Sequence, residues 1–245
     1  MDDIEKLRSI ISGSSNIVFF GGAGVSTESN IPDFRSEKGI YQTQKNYGYR
    51  PEVMLSHSFF ETHPEEFYDF YKKQMIFKDA KPNKAHLALA KLEKMGKLKA
   101  VITQNIDGLH QKAGSKNVLE LHGSVYRNYC IKCKKSYSLD YVLNSPETVP
   151  RCSDCGGIVR PDVVLYEEPL DNNVLGRALY YINNADVLIV GGTSLVVYPA
   201  AGLIHYYRGN KLVLINKSDV AFDGKINLII NDSIGKVLGA VVDGI

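Results

Sequence analysis

Along most of the chain, short unbroken apolar runs alternate with segments whose apolar residues keep helical spacing. Ile4, Leu7, Ile10 and Ile11 are spaced as one face of a short helix, which Ser14, Ser15 and Asn16 interrupt. Residues 17–20 are continuously apolar and run into Gly21-Gly22-Ala23-Gly24, as expected of a strand buried on both faces. Pro64 in a first turn, followed by Phe67, Phe70, Tyr71 and Gln74, predicts a helix over 64–77. Asn83 is placed to cap a second helix containing His86, Leu87, Ala90 and Met95. Strands are predicted over 98–103, 117–121, 186–190 and 211–215, and helices over 171–184 and 199–207. Apolar strands alternating with helices predict an α/β protein whose parallel sheet is covered on both faces.

Residues 124–158 break this order. They are rich in Cys, Lys, Tyr, Ser and Gly, lack a helical period, and read as an insertion before the short apolar run 163–166. The cysteines of this stretch form two pairs, Cys130-x2-Cys133 and Cys152-x2-Cys155, separated by 18 residues. Two residues between thiolates let one turn aim both sulfurs at one ion, and two such turns complete a tetrahedron. Four cysteines leave no position for water, so the metal predicted here is one structural zinc ion. Gly156 and Gly157 suit the second turn.

Composition narrows the partners. Of 245 residues 44% are hydrophobic and 23% charged, and the net charge of +2 gives no reason to expect specific nucleic-acid binding. Lys132, Lys134 and Lys135 fit a solvated face of the insertion. The first residues show neither a basic leader nor an apolar core of a signal peptide, and no apolar run approaches the length of a membrane span. A cytoplasmic protein is expected, and in that compartment paired cysteines bind metal more often than they form disulfides.

Four of the predicted strands end in small polar residues, at 22–27, 104–107, 192–194 and 216. Open α/β sheets bind ligands outside the carboxyl ends of their strands, so these ends predict one shared crevice. Gly22-x-Gly24 after a strand lets backbone N–H groups approach a pyrophosphate, although a strand-to-helix turn uses glycine for its own reasons too. Ser26 and Thr27 stand where a third fingerprint glycine would be, and no acidic residue follows at the usual distance. These departures argue against hydride transfer, while a dinucleotide stays compatible with the shared crevice.

Gly22-Ala23-Gly24-Val25-Ser26, Ile31-Pro32-Asp33-Phe34-Arg35, Gln104-Asn105-Ile106-Asp107, His122-Gly123, the two cysteine pairs and Gly192-Thr193-Ser194 occur in sirtuin order. Over about residues 4–240 the chain resembles a bacterial-type sirtuin, an NAD-dependent protein deacylase. The resemblance implies a Rossmann-like doubly wound parallel sheet with a smaller helical plus zinc-ribbon domain inserted. The large part would comprise 1–35, 83–123 and 159–245, and the small part 36–82 (helical) and 124–158 (zinc ribbon). NAD would be the co-substrate and acylated-lysine proteins or peptides the substrates of a monomeric enzyme. Its products would be free lysine, nicotinamide and O-acyl-ADP-ribose.

The same resemblance distributes roles. His122 would be the general base, and His57, His63, His86, His110 and His205 lack its context. Ala23, Thr27, Phe34 and Arg35 would line the NAD site. Gln104 and Asn105 would contact or order the nicotinamide ribose, Asn105 at the catalytic centre. Ile106 and Asp107 would hold the nicotinamide carboxamide. Thr193, Ser194, Asn216 and Asp232 would bind the adenosine side. Val164 and Tyr166 would meet the substrate, with the 163–166 backbone pairing with an extended peptide and the 194–198 loop on its other side. Sirtuins that prefer succinyl or malonyl groups carry a Tyr-x-x-Arg pair; here Tyr68 is followed by Tyr71, so an anionic acyl group lacks its charge partner and an acetyl group is expected. Two departures stand out. Asn30 replaces the usual glycine, and Tyr166-Glu167-Glu168 replaces the commoner Phe-Gly-Glu, adding a negative charge that would favour basic sequences around the target lysine. A sirtuin-like mono-ADP-ribosyltransferase and a non-enzymatic NAD- and zinc-binding sensor are the competing readings.

Overall fold

The structure, a computed structural model, describes residues 2–34, 39–40, 47–220 and 222–245. Its larger sheet joins β1 (Ile17–Gly21), β2 (Leu98–Thr103), β3 (Val118–Glu120), β7 (Val187–Gly191), β8 (Leu212–Ile215) and β9 (Leu228–Ile230) in the order β3-β2-β1-β7-β8-β9. Every pairing is parallel. The chain builds outward from β1 on one side, returns to the centre, and builds outward from β7 on the other. The order reverses between β1 and β7, and a crevice opens beyond Gly21 and Gly191.

Strand side chains alternate between two cores, as the period of two requires. Ile17 and Phe19 face the helices Asp3–Ser12, Lys84–Lys94 and Ile234–Val242, packing with Leu7, Leu89, Leu92 and Leu238. Val18 and Phe20 face the helix Asn172–Asn184 and the 3-10 helix Ala200–Tyr206, packing with Ala178, Ile182 and Leu203. Both faces are thus covered, and burying the strands on both sides explains their unbroken apolar runs. Asn83 caps the helix it precedes, accepting from the Ala85 amide at 2.9 Å while His86 Nδ1 accepts from Asn83 N–H at 3.2 Å. Among the described residues no helix is long and apolar enough to cross a membrane.

The smaller unit pairs the helices Pro51–Met54, His57–Thr62 and Pro64–Gln74 with an antiparallel sheet of β5 (Ser136–Ser138), β4 (Gly123–Cys130) and β6 (Val159–Val163). One apolar core serves both parts: Phe60, Phe67, Tyr68, Phe70 and Tyr71 pack with Val125, Leu139, Val142 and Val159. Two expectations change here. The ribbon's second arm extends through Val163, because β6 pairs with β4 rather than starting the large sheet at residue 159. Tyr68 is fully buried in the shared core, its hydroxyl donating to the Val159 carbonyl. The segment predicted as a helix over 199–207 winds as a 3-10 helix, and β9 was missed because it is only three residues long, although Asp223-Gly224 marks a turn before it.

Candidate active site

The polar strand ends gather where the order reverses. Their strands, β2, β1, β7 and β8, are consecutive neighbours in the sheet. The ladder continues past them: Gly22 N–H donates to Gly191 O at 3.3 Å, Gln104 N–H to Gly21 O at 3.0 Å, and Asn216 N–H to Ile230 O at 3.1 Å. Two glycine turns cross here. Gly24 N–H donates to Gly192 O at 2.8 Å, and a Cβ on Gly24 would stand 2.8 Å from the Gly192 Cα. Gly192 has φ 60, and its own Cβ would lie 2.4 Å from the Val25 nitrogen. Neither turn tolerates a side chain, which explains both glycines without appeal to a ligand. Thr27 Oγ1 folds back onto Gly24 O at 3.0 Å.

A chain of hydrogen bonds links the first two strand ends. Ser26 Oγ donates to Asp107 Oδ2 at 2.7 Å and accepts from Asn105 Nδ2 at 3.1 Å. Asp107 Oδ1 accepts from the Leu109 amide at 2.9 Å, and Asn105 N–H donates to Thr103 Oγ1 at 3.0 Å. Burial pushes the Asp107 pKa up, opposed by the bonds from Ser26 and Leu109. Ser26, only 1% exposed, was not singled out in the sequence, although its place directly after the glycine turn was the available signal. Gln104 Nε2 donates to Thr193 Oγ1 at 3.2 Å, joining the β2 end to the β7 end. Ile106 O accepts from the Val125 amide at 3.1 Å, so this loop is also tied to the smaller unit.

His122 follows β3 and precedes the left-handed Gly123, whose φ is 75. Its Nδ1 lies 2.9 Å from Gln104 O. A carbonyl only accepts, so Nδ1 bears the proton and Nε2 keeps its lone pair. Burial lowers the His122 pKa below 6.5, partly offset by the Gln104 carbonyl, which makes the neutral ring the form present at neutral pH. Its carbonyl accepts from Val164 N–H at 3.0 Å. His110 is in the core instead, 1% exposed, its ring 4.7 Å from that of His86.

The other expected residues divide. Phe34, Ile106 and Tyr166 pack on the core of the smaller unit, and Val164 packs on the larger one. They span the junction of the two units. Ala23, Thr193 and Ser194 stand at the crossing turns, while Asn216 Nδ2 is turned onto Ser218 O at 2.8 Å. Asp232 follows β9 and is held by the Ser233 amide at 2.8 Å and Lys236 Nζ at 2.5 Å. Arg35 lies outside the described residues. The amides expected to pair with a peptide are occupied within the chain: Val164 by His122 O, Leu165 by Glu168 Oε2, and Tyr166 by Leu55 O. Several of its carbonyls are engaged too: Val163 O by Arg160 Nη2, Leu165 O by the Glu168 amide and Tyr166 O by the His57 amide. Asn30 adopts φ 61 and Glu167 φ 76, the left-handed backbone that favours the glycine each replaces.

The four cysteine sulfurs all lie within 4.8 Å of one another, with Cys130 to Cys155 and Cys133 to Cys152 both at 3.5 Å. A disulfide requires about 2.05 Å. A tetrahedron of thiolates ~2.3 Å from zinc has edges of roughly 3.8 Å, so the cluster fits one zinc ion and no disulfide. A Cβ on Gly157 would stand 2.9 Å from Cys130 Sγ, which is why the second turn carries a glycine there.

A parallel sheet with its crevice at the reversal of strand order, glycine turns at that crevice, and a buried neutral histidine beside it define a nucleotide-using enzyme with a zinc-ribbon unit. The Sir2 family profile matches residues 22–199, and the chain belongs to that family. A protein of Clostridium tetani named NAD-dependent protein deacetylase is 68% identical over 99% of this chain and 98% of its own length. One of Clostridium acetobutylicum with the same name is 65% identical over 99% of both. A Sir2 structure with a p53 peptide and NAD+ superposes with a TM-score of 0.88 at 41% identity, covering all of this chain and 98% of that one. A Sir2 structure with a deacetylated p53 peptide and 3'-O-acetyl ADP ribose gives 0.91 at 40% identity, covering 99% and 98%.

Proposed function

We infer that the protein is an NAD-dependent protein lysine deacetylase that releases nicotinamide and passes the acyl group to ADP-ribose. The single observation behind this reading is His122, held as the neutral Nδ1–H tautomer beside the strand ends that would bind NAD. NAD supplies a cationic nicotinamide leaving group, which lets an otherwise unreactive amide be cleaved. The chain supplies position and proton transfer. His122 Nε2 accepts the proton of a ribose hydroxyl, a step for which a neutral imidazole is needed. Gln104, bonded to both His122 and Thr193, keeps that base in register with the nucleotide turn. Ser26, Asn105 and Asp107 form a prearranged polar wall for the nicotinamide ribose and carboxamide. Ala23, Thr27, Phe34, Arg35 and Ile106 would complete the nicotinamide side, and Thr193, Ser194, Asn216 and Asp232 the adenosine side.

The cysteine zinc takes no part in these steps. It would brace the ribbon that shares a core with the substrate-facing helices. Val164 and Tyr166 would border an acyl-lysine slot whose apolar neighbours Phe34 and Ile106 suit a neutral acetyl group. Incubation with NAD labelled in its adenine and an acetyl-lysine peptide tests the reading. Label should appear in O-acetyl-ADP-ribose, matched one to one by deacetylated peptide and nicotinamide. Label retained on protein would identify an ADP-ribosyltransferase, and binding without turnover a sensor.

A further inference from the structure

An open groove of about 520 Å³ lies on the smaller unit, beside the segment that borders the acyl-lysine slot. Tyr166 and Glu167 of that segment form one wall, and Tyr49, Glu52, Val53 and Phe59 the other. The walls are chiefly apolar and aromatic. Tyr49 is 46% exposed and meets Phe59 edge-on at 5.2 Å, while Val53 is 42% exposed.

Two carboxylates stand in the groove. Glu167 Oε2 accepts from both the Ser58 amide, at 2.9 Å, and the Ser58 hydroxyl, at 2.5 Å. Those bonds end on one oxygen, and Oε1 accepts none among the described residues. Glu52 Oε2 has no hydrogen-bond partner and is withdrawn from solvent, with Arg50 Nε 3.9 Å away. Glu167 is also one of the two departures from the family pattern, held at φ 76 where glycine is commoner. A left-handed glutamate costs about 1 kcal/mol or more, offset in part by its bonds to Ser58 at the start of the His57–Thr62 helix.

We propose that this groove is a specificity subsite for a long basic side chain, arginine above lysine, within three residues of the acyl-lysine of the substrate. This deepens the deacetylase reading and rests on it. An aliphatic stem covers Val53 and Tyr166, a planar guanidinium stacks on Tyr49, since His63 already covers a face of Phe59 at 4.8 Å, and its fork reaches Glu52 and Glu167. Glu167 follows Val164 by three residues in the segment that borders the slot, which places the groove within a few residues of the acyl-lysine along a bound peptide. The carboxylates of the groove oppose an acidic residue at the same place. Arg50, 64% exposed and 3.9 Å from Glu52, is displaced when a substrate arginine enters, while His63 in the groove and His57 near Glu167 are the other basic groups facing the carboxylates.

The test is a set of acetyl-lysine peptides carrying Arg, Lys, Ala or Glu at each position within three residues of the acetyl-lysine, assayed for kcat/KM. One position, or an adjacent pair, should favour Arg over Glu by about tenfold, with Lys between them, and the difference should lie in KM. Glu52→Gln and Glu167→Gln should each bring that Arg-to-Glu ratio towards one at this position. The ratio is internal to each variant, so a loss of folded protein lowers both peptides alike and leaves it unmoved. Equal turnover of Arg and Glu peptides at every position, or a ratio that both variants preserve, would overturn the subsite while leaving the deacetylase reading intact. Turnover of none of the peptides would remove the activity itself and the subsite with it.

Discussion

Asp107 shows how one residue balances function against stability. Its carboxyl is buried, and burial raises its pKa above the ordinary 3.8. The folded protein therefore prefers the protonated acid more than the unfolded chain does. As pH rises above 3.8 the unfolded chain ionises first and stability falls, until the pH passes the raised native pKa. At neutral pH the charged group costs stability that is not lost below pH 3.8. Asp107→Asn keeps an acceptor for the Leu109 amide and removes the charge. Its melting temperature should exceed that of the parent near pH 7, and the gain should shrink to nothing as pH is taken below 4. Its deacetylation rate should fall about tenfold or more, as expected for losing a charged hydrogen-bond acceptor worth roughly 1.5–3 kcal/mol. Equal melting temperatures at pH 7 would show that the carboxyl is not desolvated as the fold implies.

Residues of this kind were unevenly visible in the sequence. His122 could be picked out because it ends a strand, precedes glycine and belongs to a motif. Ser26 also stands in one of the motifs, but no role was assigned to it, because its partners Asn105 and Asp107 come to it from 79 and 81 residues away. Tyr68, expected at the substrate, is buried for a physical reason. Phe67, Tyr68, Phe70 and Tyr71 form one broad stripe of the Pro64–Gln74 helix, and that whole stripe packs into the core shared with the ribbon. Spacing alone does not say which of its faces is wet.

At the level of elements, two backbones crossing closely shape this site. Gly123 is left-handed, and a Cβ there would stand 1.9 Å from Asp162 O, in the β4–β6 pairing directly after His122. Gly96, after the Lys84–Lys94 helix, has nearly the same φ, 74, with nothing within 4 Å of an added Cβ. Gly96→Ala should cost ~1–2 kcal/mol, the left-handed penalty alone. Gly123→Ala adds a backbone collision and should cost more than about 3 kcal/mol, with loss of activity in whatever protein remains folded. Denaturant unfolding of the two variants compares them directly, and equal losses would contradict the crossing. The large-sheet strands were legible as apolar runs because both faces are buried. β4, β5 and β6 were not, because a small sheet around a metal needs few apolar residues and the cysteines supply much of its cohesion. β9, three residues long, is held by its place beside β8 rather than by its own pattern.

For the whole molecule, the order of strands is what turns scattered motifs into a site. Glycine turns near residues 22 and 192, the polar loop at 104–107 and His122 are far apart in sequence, yet the return of the chain from β3 to β7 places β1 between β2 and β7. The sequence indicated that such ends would converge, though not that β1 and β7 would be the central pair. The smaller unit closes the arrangement. Its helices and ribbon share one core, so a zinc ion bound at the cysteines stabilises the wall that Ile106 and Tyr166 lean on. The central claim is that His122 acts as the base within this cleft. It is tested most directly by comparing His122→Ala with the parent for formation of deacetylated peptide at saturating NAD, after matching melting temperatures. The account predicts a loss of at least about a hundredfold, the ordinary contribution of a positioned general base. Deacetylation at the parent's rate by the folded variant would contradict it.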